Sequence, residues 1–123
     1  MTQKDLKQIG QNILKEFEIT NIPIKYKDVQ RGRSTRRSII IPKWSALERG
    51  EAYSLYYVLH EVSHQVLRHV SKVPIKMHGK EFKDMEGKLL ARYDLVPIYM
   101  KAYVKELYNS KLKKTVYKKE KRK

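Results

Sequence analysis

Between Gly50 and Pro74 the chain contains neither glycine nor proline, and its apolar residues there recur at helical spacing. Leu55, Val58, Leu59, Val62 and Val66 form one stripe at 100° per residue, which predicts a long helix over about Glu51 to His69 packed by that face into a core. His60 and His64 lie nearly opposite the stripe. Tyr53, Tyr56, Tyr57 and Leu67 flank them where a solvated face would carry charges. A helix covered on one side and lined with aromatics on the other suits the floor of a cleft.

His60-Glu61-Val62-Ser63-His64 is an HExxH pattern. Residues four apart share a helix face, so both imidazoles can point at one ion. Glu61 is turned about 100° from His60 and can act on a water beside that ion without being a ligand. These residue types suit the chemistry: neutral imidazoles bind zinc, the ion acidifies water, and a carboxylate accepts the proton during attack. Zinc held by His60 and His64, with Glu61 as catalytic base of a peptide-bond hydrolase, is therefore expected. Two surface histidines on an ordinary helix would be the alternative.

A catalytic zinc site needs a third protein ligand and an open position. The chain has no Cys, which excludes thiolate ligands, a thiolate nucleophile and any disulfide framework. His69 projects to the core side of the predicted helix, and Val70 and Leu67 stand where a metzincin pattern would have His and Gly. His78 lies beyond the Pro74 break, just before a further helix, where a returning chain can present it to the cleft. His78 is the favoured third ligand; Glu81 or Glu86 would complete the site in the gluzincin manner.

The rest of the chain reads as one α+β domain. Leu6, Ile9, Ile13, Leu14 and Phe17 predict an amphipathic helix over 3–17, with Thr2 as its cap. Ile22 to Val29 alternates and predicts an exposed strand, Gln30 to Arg37 a basic turn, and Ser38 to Pro42 a short strand closed by proline. Trp44 is expected to anchor the connection. Gly79 to Tyr93 resumes helical spacing, and a last helix is expected after Pro97, carrying Tyr99 and Tyr103. Residues 1–17 hold no signal-type apolar run and no segment approaches a membrane span, so a cytoplasmic protein without membrane contact is expected.

With His78-Gly79-Lys80-Glu81-Phe82 following the HExxH string, the region from about Ile39 to Leu90 resembles the SprT-like (Spartan-type) metallopeptidases. Their pattern is HExxH and then a third His in an H-G-x-x-[FW] context. The resemblance implies a zincin-like fold over residues 1–110, zinc ligation by His60, His64 and His78, Glu61 as base, a protein or peptide substrate, and a link to DNA. It also implies that the strand before the motif helix is an edge strand for extended substrate; a plain core strand is the other reading. The Cys-rich zinc element of many members cannot form here.

The formal charge is +15, and residues 111–123 set eight Lys and Arg against Glu120 alone. That tail is expected to be disordered and to bind DNA without sequence preference, or to act only as a solubilising segment. Arg31, Arg33, Arg36 and Arg37 form a second basic cluster. A basic nucleic-acid-binding module with a structural or vestigial metal site, or a regulatory zincin specific for one partner protein, are the competing functional readings.

Overall fold

Thr2 starts the first helix through a capping box. Its Oγ1 accepts from Asp5 N–H at 3.2 Å, and the Asp5 carboxylate accepts from Thr2 N–H at 2.8 Å. Those hydrogen bonds hold Asp5 below its usual carboxylate range. The computed structural model describes residues 1–71 and 78–95. Along the chain run α1 (Gln3–Glu16), β1 (Ile24–Lys27), β2 (Arg33–Ser34), β3 (Ile39–Pro42), α2 (Trp44–Leu47), α3 (Glu51–Val70) and α4 (Lys80–Ala91). Four helices and a three-stranded mixed sheet among the described residues make this an α+β protein. Among the described residues no helix is long and apolar enough to cross a membrane. The helix expected after Pro97, the boundary near residue 110 and the basic tail lie outside the described residues.

The sheet corrects three expectations. Its order is β1-β3-β2, with β1 parallel and β2 antiparallel to β3. The strand before the motif helix is therefore central, lying between β1 and β2 and paired on both sides at Ile39 and Ile40, and is not an edge strand. Its residues Ile39 to Ile41 are apolar on both faces and all buried, the pattern of a strand covered on both sides. The segment read as a basic turn contains β2, whose Arg33 and Ser34 pair with Ile40 and Ile39. Nor is β1 simply exposed: Ile22 and Ile24 are buried while Lys25 and Lys27 face solvent.

One core unites the layers. The predicted stripe of α3, from Leu55 to Val66, is buried against Leu6, Ile13 and Leu14 of α1, Ile39 and Ile41 of β3, and Leu89 and Leu90 of α4. Gly10 lets α1 approach α3 closely: a Cβ there would lie 2.5 Å from Ile24 and 2.8 Å from Val58. Gln11 of α1 ties down the start of β1, donating to Ile22 C=O and accepting from Ile24 N–H, both at 3.1 Å. Tyr26 of β1, Ser45 of α2 and Ser54 of α3 join hydroxyls at 2.6 and 3.0 Å, which fixes the first turn of α3 against the sheet. The motif helix is thereby held from three sides.

Candidate metal centre

α3 carries His60, Glu61 and His64 on consecutive turns, and helical spacing alone brings the two rings to 5.1 Å. The third histidine arrives from outside the helix. His78 has φ +58°, the left-handed region that His enters more readily than most residues, and it stands just before Gly79, the N-cap of α4. His78 Nε2 lies 3.1 Å from His64 Nε2. One ligand atom from each of His60, His64 and His78 falls within 4.8 Å of the others. Two nitrogens bound to one tetrahedral zinc at about 2.05 Å are about 3.3 Å apart, so the donor set fits such an ion.

α4 supplies two side chains behind these rings that the sequence did not single out for this role. Phe82 is 3% exposed and stacks on His64 at 4.2 Å and 27°, with the His60 and His78 rings each at 5.0 Å. Glu86 is 1% exposed, and its Oε2 lies 2.5 Å from His60 Nδ1. Glu86 therefore meets Nδ1 of His60 and is not among the clustered ligand atoms; Glu81 is exposed and is not among them either. The H-x-x-x-F spacing is the signal that pointed at Phe82, but nothing in a single sequence pairs Glu86 with His60.

His69 stays out of the cluster, though not for the reason expected. It is exposed on the last turn of α3, where Arg68 and Val70 are exposed too, and its Nδ1–H donates to Gln65 C=O at 2.9 Å. The end of α3 runs beyond the core, so projection toward the apolar stripe does not mean burial there.

Glu61 is buried, 5% exposed, and among the described residues its carboxylate has no hydrogen-bond donor. Burial raises its pKa from 4.5 to about 7; His60 opposes the rise and Glu86 adds to it. The pKa of His64 falls to about 3, first through burial and then through the positive charge His60 and His78 would carry. His78 is lowered too, first by burial and then by His60, with Glu86 opposing the shift. At neutral pH His64 and His78 thus offer neutral imidazoles, the form that binds metal.

The metal-free protein should report Glu61 directly. Its raised pKa lets the folded state hold a proton that the unfolded chain releases, so stability falls as pH rises from 4.5 to about 7. The loss above pH 7 is roughly 3 kcal/mol, at about 1.4 kcal/mol per pKa unit. His64 acts in the opposite sense but is common to both proteins, so it cancels in the difference between wild type and Glu61→Gln. Urea unfolding of the zinc-free pair should show the variant gaining relative stability from pH 5 to pH 8. A pH-independent difference would mean that Glu61 is not buried as a charge.

Beside the cluster, Tyr53, Tyr56, Tyr57 and His60 line a cleft of about 90 Å³. Trp44 is half-buried and backs this wall, with its ring 6.1 Å from Tyr53 and 6.0 Å from Tyr57, and its indole N–H donates to Gln30 C=O. Tyr57 Oη accepts from Gly32 N–H at 2.7 Å. A Cβ on Gly32 would sit 2.5 Å from the Tyr57 ring, so only glycine allows the loop to close on the cleft wall. Compared with known proteins, the chain matches no family model, no curated protein and no solved structure, and its site is read from its own geometry.

Proposed function

We propose that the chain is an intracellular zinc-dependent peptidase of zincin-like fold, related to the SprT-like metallopeptidases. The observation that carries this reading is Glu61: a buried carboxylate with no hydrogen-bond donor among the described residues, one residue from the first of three clustered imidazoles. A purely structural zinc site has no use for such a group. A bound zinc would supply a Lewis acid that acidifies water and polarises a carbonyl. His60, His64 and His78 would hold it. Glu61 accepts the proton of the attacking water and passes it to the leaving amine. The aromatic cleft beside His60 gives a substrate side chain a surface to lie on.

Native mass spectrometry and cleavage of an unstructured protein test the reading together. One zinc per chain and metal-dependent cleavage are expected. A chain that takes up no zinc would end it.

A specific observation favours nucleic acid as a second partner. Residues 25–43 hold Lys25, Lys27, Arg31, Arg33, Arg36, Arg37 and Lys43 against Asp28 alone. The register places Lys25 and Arg33 on either side of Ile40, on the sheet face away from the core cluster, with Lys27 two residues on. No ion pair engages these cations among the described residues. Arg31 and Arg33 flank Gly32, which touches the cleft wall through Tyr57. A phosphate backbone on this face would pass close to the cleft, the arrangement expected of a peptidase acting on DNA-associated proteins.

Binding to a single-stranded oligonucleotide should weaken steeply between about 50 and 200 mM salt. Changing Lys25, Lys27 and Arg33 together to Gln should reduce the slope of log K against log salt by about 2 to 3, if each contacts one phosphate. An unchanged slope, with affinity lost instead on deleting residues 111–123, would move the contact to the tail.

A further inference from the structure

We propose that Glu86 is a positioning residue that holds the His60 ring with its proton on Nδ1, so that the Nε2 lone pair faces His64 and His78. The inference rests on the zinc reading and adds to it the group that prepares one ligand. A neutral imidazole carries one N–H, and the partner of one nitrogen decides what the other offers. A carboxylate only accepts, so Glu86 Oε2 at 2.5 Å draws the proton to Nδ1. Nε2 is left as a donor of electrons. Such an outer carboxylate also fixes the ring's orientation and raises its basicity.

The placement is rigid. Glu86 is 1% exposed and lies on α4 between Phe82, stacked on His64, and Leu89 and Leu90, both buried in the core cluster. It comes from 26 residues further along the chain, so the contact exists only because α4 packs across α3. Glu86 is not among the clustered ligand atoms, which sets this role apart from that of a fourth ligand.

Imidazole ¹⁵N spectra of the zinc-free wild-type protein at neutral pH should show His60 as the Nδ1–H tautomer. An Nε2–H tautomer would mean that Glu86 donates a proton instead, and would overturn the proposal without any variant. Glu86→Gln keeps the shape but can accept or donate, so His60 should become a mixture of tautomers. The zinc dissociation constant should rise by about 10- to 100-fold, the size expected for an outer-shell change. Wild-type affinity with an unchanged tautomer would reduce Glu86 to packing. A loss of zinc as complete as in His64→Ala would make Glu86 a ligand, and either result overturns the inference. Zinc uptake by the wild type decides the metal reading separately, because the tautomer is read without metal.

Discussion

Glu61→Gln is expected to slow peptide-bond hydrolysis by about 10²- to 10⁴-fold, the range for loss of a general base, while one zinc stays bound. The amide keeps the side chain's size but cannot take a proton. Glu61 is not part of the imidazole cluster, so the metal affinity should hold. A structural-site reading predicts something different: no hydrolysis in either protein and no functional change on substitution. Single-turnover cleavage of an unstructured substrate, with zinc content measured on the same sample, separates the two. Cleavage at the parent rate with zinc retained would remove Glu61 from the chemistry.

His64→Ala and His78→Ala are expected to lose zinc by far more than the roughly 10- to 100-fold of an outer-shell change, because each removes a nitrogen from a set of three. His69→Ala should bind zinc as the parent does, since its ring is exposed at the end of α3 and hydrogen-bonded to Gln65 C=O. Competition with a chromophoric chelator measures all three. The His78 result is the more telling. His78 is exposed and comes from outside α3, so retention of zinc in its absence would leave only the helix pair, which two surface histidines also provide.

These expectations draw on the sequence to different depths. The pair His60 and His64 was legible because a helix fixes where residues four apart point, whatever surrounds it. The stripe from Leu55 to Val66 was legible for the same reason, and burial follows its period. Thr2 read as a cap because capping is decided within one turn. His78 was reached by a chain-return argument and a motif, and the structure brings its ring to His64. Where the readings failed, the deciding interactions were not local. The central position of β3 depends on what pairs with it on either side, and β2 is only two residues long, too short to leave a periodic signal. His69 read as core-facing because a helical projection has no information about where the core ends along the axis.

The sequence by itself determined the α+β class, the motif helix and the two histidines it presents, since each follows from a backbone period and side-chain type. Tertiary structure alone decided the burial that lifts Glu61 toward pH 7, the Phe82 ring behind the histidines, and the Glu86 carboxylate on His60. The last two depend on α4 lying across α3, and that packing is fixed by apolar surface shared between segments distant in the chain, which no local period encodes.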